Sequence, residues 1–190
     1  GAAYIKNQDV FADFYGDYGW FGTLEQLNPW AGYMIDMVAP ATLIYPSDDG
    51  ALSMNDNIEG SDDLTRSSDS NVNEWTINSH DYEFNGSITT IISSETGHTI
   101  SEGDMLAAFA GDEIRGVAYA KQVPWDVYYI FPTMVYSNNE DRDELTFKYY
   151  NGTTGEVVEF SDKVEFIADM AIGNAIDTFV LTNVVSDNVV

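Results

Sequence analysis

From Trp75 onward the chain is a succession of short apolar runs separated by turn residues, with no run repeating at helical spacing. This pattern constrains the fold more than any single residue, because strands of this length spaced about 8–12 residues apart pack as antiparallel sheets. "FNGSITTII" (84–92) opens with an Asn-Gly pair that reads as a hairpin turn. "MLAAFAGDEIRGVAYA" (105–120) reads as two buried strands joined at Gly111-Asp112, with Leu106, Ala108, Val117 and Tyr119 on one packed face. "DVYYIFPTMVYS" (126–137) is a long strand in which Pro132 requires an edge or a bulge. "LTFKYYNGTTGEVVEF" (145–160) alternates and turns through Asn151-Gly152, and "VEFIADM" (164–170) and "TFVLTNVV" (178–185) complete at least seven strands. The expected fold is all-β: an antiparallel β-sandwich over residues 74–183, with a smaller β module before it and an apolar tail over 184–190.

That smaller module, residues 1–46, is rich in aromatics: Tyr4, Phe11, Phe14, Tyr15, Tyr18, Trp20, Phe21, Trp30, Tyr33 and Tyr45. "GYMIDM" (32–37) and "ATLIYP" (41–46) read as strands around a turn at Pro40, and "LEQLNPWAG" (24–32) as one helical turn stopped by Pro29. Residues 47–73 change character to Ser, Asp, Asn and Gly, which reads as an acidic linker or long solvated loop.

Charge excludes several functions. Seven Lys plus Arg against 32 Asp plus Glu give a net charge of −25, so the chain lacks the basic footprint that nucleic acid requires. An anionic membrane surface is disfavoured likewise, and no stretch approaches the roughly 20 apolar residues of a membrane span. Such a surface suits a saline or calcium-rich exterior, where salt screens its self-repulsion. Cysteine is absent, so stability must come from the core, bound ions or assembly.

Three segments, "GDMLAAFAGDEIRGVAYA", "ELTFKYYNGTTGEV" and "FIADMAIGN", resemble a tandem β-sandwich repeat module of large secreted and cell-surface proteins of marine and Bacteroidetes-type bacteria. The earlier "YIKNQDVFADFYGDYGWFGTLEQLNPWAGYMI" and "ATLIYP" resemble the companion module that precedes it in those proteins. The resemblance implies architecture and an extracellular, cell-surface setting, and it carries no single activity. A Trp-rich strand usually stands before the companion module in such proteins. This sequence begins after that position, so the expectation is either a lost strand, which leaves an open sheet edge that invites another strand, or something else filling its place.

The site candidates follow from chemistry. Acid-rich loops suit calcium, which takes six to eight oxygen ligands: Asp48, Asp49, Asp56, Asp62 and Asp63 in one region, and Glu140, Asp141 and Asp143 in another. A solvated acidic face is the competing reading. Trp20, Phe21, Trp30 and Tyr33 read either as a glycan-stacking platform or as the core of the small module. Val184, Val185, Val189 and Val190 make the tail apolar enough to pair with a neighbouring subunit, head to tail. Arg115 is expected to pair with Asp104 or Glu113, and Asn85 and Asn151 open glycosylation sequons at expected hairpin turns. His80 and His98 lack a nucleophile elbow and a metal-ligand pattern, so no enzyme is expected. The expected function is a non-catalytic structural or adhesive protein, a building block of a surface assembly or filament that self-associates by strand exchange. The alternative is a carbohydrate-binding module that recognises surface glycans.

Overall fold

In the computed structural model, the described residues are 2–28, 30–40, 75–182 and 184–185. The molecule is all-β, with thirteen strands in three sheets among them and no α-helix. The first sheet has the order β3-β2-β1-β4, formed by Trp20–Gly22, Phe11–Phe14, Ala2–Lys6 and Met34–Met37. A second contains β5 (Phe84–Ile92), β8 (Lys121–Gln122), β9 (Tyr129–Ser137) and β12 (Ala171–Ile172) in the order β12-β5-β9-β8. Its last member, β13 (Phe179–Leu181), also pairs with β5. The third has the order β11-β10-β6-β7, from β6 (Met105–Ala110), β7 (Glu113–Tyr119), β10 (Asp141–Tyr150) and β11 (Val157–Ile167).

The β5–β9 sheet is the central layer. Successive side chains of a strand point to opposite faces, and both faces of β9 are covered. Phe131 and Val135 join Ile88, Leu106, Phe147 and Tyr149 in the sandwich core. Met134 and Tyr136, one residue out of phase, pack against Tyr4 and Phe11 of the N-terminal sheet. Ile130 meets Tyr15, Phe21, Trp125 and Val123. Burial on both faces explains why β5 and β9 read as near-continuous apolar sequence. It also means that Tyr4, Phe11, Tyr15 and Phe21 of the N-terminal sheet pack against the central layer.

Two strands cross between sheets. The chain leaves β7 through Ala120 and enters the central sheet as β8. Gly116 on β7 lies so close to β9 that a Cβ there would sit 2.3 Å from the Met134 carbonyl oxygen. On the opposite side the chain leaves β13 and returns to the outer sheet, where Val184 pairs with Phe160 and the Val185 N–H donates to the Glu159 carbonyl at 2.8 Å.

Several sequence expectations are corrected. The segment expected as a strand from 164 to 170 belongs to β11, which runs unbroken from Val157 to Ile167 through the polar Ser161-Asp162-Lys163. Leu106 and Ala108 are buried, but their partners are Ala118 and Gly116, because the register shifts by one between Ala108 and Phe109. Tyr119 is consequently exposed. Pro132 meets the expectation of an edge, since it pairs with Thr89 on one side while β8 reaches only Tyr129 and Ile130 on the other, and no other strand of the described residues pairs with it. The region 24–28 is irregular, with the Thr23 and Leu24 N–H groups both donating to the Phe11 carbonyl. The strand expected at 41–46 and the linker at 47–73 lie outside the described residues.

Candidate functional site

The N-terminal sheet presents the features most unlike a sealed surface. Opposed residues share a face, so Ile5, Ala12, Phe14, Trp20 and Ile35 lie on the side turned away from the sandwich. Ile5 and Ala12 are buried there, whereas Phe14 and Trp20 are 47 % and 46 % exposed, with ring centroids 5.4 Å apart. β4 is a terminal strand, and its outer edge has no partner among the described residues. Met34, Ile35 and Met37 are each 41–42 % exposed, and Asp36 is the single charge in the strand. A largely apolar edge carries a row of backbone donors and acceptors that can accept another strand, although β4 is only four residues long and its register with β1 shifts between Ala2 and Tyr4.

The four residues proposed as a glycan platform do not form one surface. Phe21 and Trp20 are adjacent on β3 and therefore face opposite ways. Phe21 packs inward against Trp125, ring centroids 5.5 Å apart, and Tyr15 completes the cluster, in contact with both rings. Trp30 is 95 % exposed, and the Tyr33 hydroxyl accepts the Asn28 N–H. Phe14 is the residue that sequence reading missed. It stands opposite Trp20 across β2 and β3, a pairing visible only once the hairpin register is known.

Of the calcium candidates, Asp48, Asp49, Asp56, Asp62 and Asp63 lie outside the described residues. Asp143 accepts from Ser137 Oγ at 2.6 Å and from Asn139 Nδ2 at 3.0 Å, and faces Arg115 at 3.5 Å. Partial burial would push its carboxyl up, but these hydrogen bonds and the guanidinium outweigh it and hold the group below its ordinary value. Asp141 pairs with Arg142, and the Glu140 carbonyl accepts the Ala168 N–H. No three acids or histidines gather to hold a metal among the described residues.

Arg115 pairs with Glu113 and Asp143 and lies over the Tyr82 ring, 5.2 Å from its centroid. Asp104, the other expected partner, does different work. It is fully buried and accepts from the Tyr149 hydroxyl, the Gly152 N–H and the Ser101 N–H. Of the sequons, Asn151 does sit in a turn, where its side chain accepts the Thr153 and Thr154 N–H groups. Asn85 lies within β5 with its side chain bonded to Lys6 and Gln8. Gly86 after it is required by close packing, since a Cβ there would meet Met170 Cγ at 2.7 Å.

Of the tail residues, Val184 and Val185 rest on β11 of their own chain, and Val189 and Val190 lie outside the described residues.

The buried underside of the N-terminal sheet carries perturbed groups. Burial pushes Asp13 up to about 6, against the lowering effect of the Tyr15 hydroxyl 3.4 Å away. Burial likewise pushes Tyr4 up to about 12, although its hydroxyl bonds Ser87 Oγ at 2.7 Å. No helix of the described residues is long and apolar enough to cross a membrane. No family model, curated protein or solved structure matches this chain.

Proposed function

We propose that the protein is a non-catalytic extracellular structural subunit that assembles with copies of itself by pairing sheet edges. The observation that carries this reading is β4, a terminal strand whose Met34, Ile35 and Met37 are exposed along an edge unpaired among the described residues. Soluble sheets usually blunt such edges with charge, proline or a bulge; β4 carries one charge, Asp36, and a register shift against β1 between Ala2 and Tyr4, and still leaves Met34, Ile35 and Met37 exposed. Strand exchange through Val184, Val185, Val189 and Val190 is the finer form of the proposal. The ladder that Val184 and Val185 make with their own β11 is the one that, made to a neighbour, joins subunits. The strongly acidic surface fits a saline exterior, with calcium bridging acidic loops of adjacent subunits.

Light scattering across a dilution series tests it. The native chain should form species heavier than one subunit, and Ile35→Lys should return it to a monomer by placing charge on the edge. Wild-type assembly in that variant would remove β4 from the account. Deletion of 184–190 separates edge pairing from exchange through the tail.

The second reading, glycan binding, is favoured by the exposed Phe14–Trp20 pair, because stacking on sugar needs ring faces open to solvent. A glycan array with native protein and Trp20→Ala decides it. Binding that disappears in the variant supports a glycan role, and an empty array leaves assembly as the remaining reading.

A further inference from the structure

The N-terminal sheet is fastened to the central layer by a lysine that water barely reaches. Lys6 on β1 is 2 % exposed. Its Nζ lies 2.6 Å from Asn85 Oδ1, 2.8 Å from Asp169 Oδ1 and 3.3 Å from the Asn85 carbonyl. Lysine is seldom buried this fully unless paired. An ion pair alone would need only the carboxylate. What stands here is a primary amine, a primary amide and a carboxylate in mutual reach, the three groups that amide exchange requires.

The neighbours hold each member in place. Asn85 Nδ2 donates to Gln8 Oε1 at 2.8 Å, which turns Oδ1 toward the lysine. The Asp169 N–H donates to the Asn85 carbonyl at 2.8 Å, tying the acid to the amide-bearing residue. Asp169 does this in the left-handed region, φ 64°, a conformation that non-glycine residues seldom adopt and that concentrates at functional positions. A carbonyl carbon lies about 1.23 Å from its oxygen. The amide carbon of Asn85 is therefore one bond beyond an oxygen that Nζ already touches.

We propose that Lys6 and Asn85 join in an intramolecular amide cross-link, with Asp169 carrying the proton. Asp169 Oδ1 takes a proton from the Nζ ammonium, and the freed amine adds to Asn85 Cγ, forming the C–N bond. The Cγ–Nδ2 bond then breaks. Nδ2 takes a second proton from Nζ and the proton held on Asp169, and leaves as ammonium. The carboxylate is restored, charge balances, and no oxidant, metal or cofactor is consumed. The geometry favours this course because the amine is buried and already positioned beside the amide, while the Asp169 side chain, 67 % exposed, opens to solvent where the ammonium can leave. The bond would tie β1 to β5 across 79 residues of sequence, in a chain that has no cysteine to do so.

Intact mass and peptide mapping of the wild-type chain test the proposal. The expected mass is lighter than the sequence by one ammonia. Lys6 and Arg66 are the first two trypsin sites and Arg115 the third, so the cross-linked product joins segment 1–66, uncut at Lys6, to segment 67–115. Lys6→Arg should restore the full mass, and Asp169→Ala should leave Lys6 and Asn85 unlinked. A wild-type chain at full sequence mass overturns the proposal. So does an ammonia loss without the branched peptide, or one that persists in Lys6→Arg. Either would instead indicate a cyclic imide at an Asn-Gly pair, Asn85-Gly86 or Asn151-Gly152, which has the same mass change. Full cross-linking in Asp169→Ala would overturn the role given to Asp169.

Discussion

The Tyr149 hydroxyl donates to the Asp104 carboxylate at 2.7 Å, and neither side chain reaches water. The bond locks the start of β6 to β10, and Asp104 extends it to the N–H of Gly152 in the turn that follows β10. The Gly-Asp pair before "MLAAFA" is thus a structural clamp. Tyr149→Phe removes one charge-assisted hydrogen bond and should cost roughly 1.5–3 kcal/mol of stability. Asp104→Ala strands several donors at once and should cost more than about 3 kcal/mol by the same accounting. Urea unfolding of both variants checks the order. Equal and small losses would mean the clamp is solvated.

Gly116 marks the crossing between the two sandwich sheets. An alanine there would force its Cβ against the Met134 carbonyl oxygen, with Val135 and Thr133 side chains also within about 3.1 Å, so the backbone has nowhere to move cheaply. Gly116→Ala should destabilise by roughly 1–3 kcal/mol, the usual range for overpacking. Alanine otherwise suits a strand better than glycine, so a stabilised variant would show that β7 and β9 stand farther apart.

Asp13 supplies a pH dependence. Its folded pKa of about 6 lies above the ordinary 3.8, so the fold disfavours the ionised form. Between pH 4 and 6 the folded state binds more protons than the unfolded state, and stability therefore falls as pH rises through this window and stays low above it. Because part of the side chain is solvated, the effect should be about 1–2 kcal/mol, less than the full shift implies. Thermal melts of Asp13→Asn should be higher than wild type at pH 7 and converge with it near pH 4. Parallel curves at both pH values would show that Asp13 titrates normally.

Sequence revealed the sandwich better than the sheet that covers it. β6, β7 and β9 are legible because turn residues bound their apolar runs, Gly111-Asp112 between β6 and β7 and Asn138-Asn139 after β9. β11 reads as two strands because Ser161-Asp162-Lys163 is polar. In the fold, its alternate residues Val158, Phe160, Val164 and Phe166 remain buried and the strand continues. The strands β1 to β3 are three to five residues long, too short for alternation to register, and their aromatics look like a private core until Met134 and Tyr136 are seen opposite Tyr4 and Phe11. Lys6 gave only a faint signal, a lone cation in the apolar run "AAYIK". Its partners Asn85 and Asp169 are 79 and 163 residues away, a distance no local pattern spans. The bulge beside Arg115 was equally invisible, and it alone moved Tyr119 from the core to the surface.

Assembly through an open sheet edge is the central claim, and electron microscopy of the purified native chain at high protein concentration tests it most directly. The expected result is polymers of uniform width with a regular axial repeat, which Ile35→Lys abolishes while the monomer keeps its strand-rich circular dichroism. Isolated monomers at every concentration, or polymers that form equally well in Ile35→Lys, would contradict it.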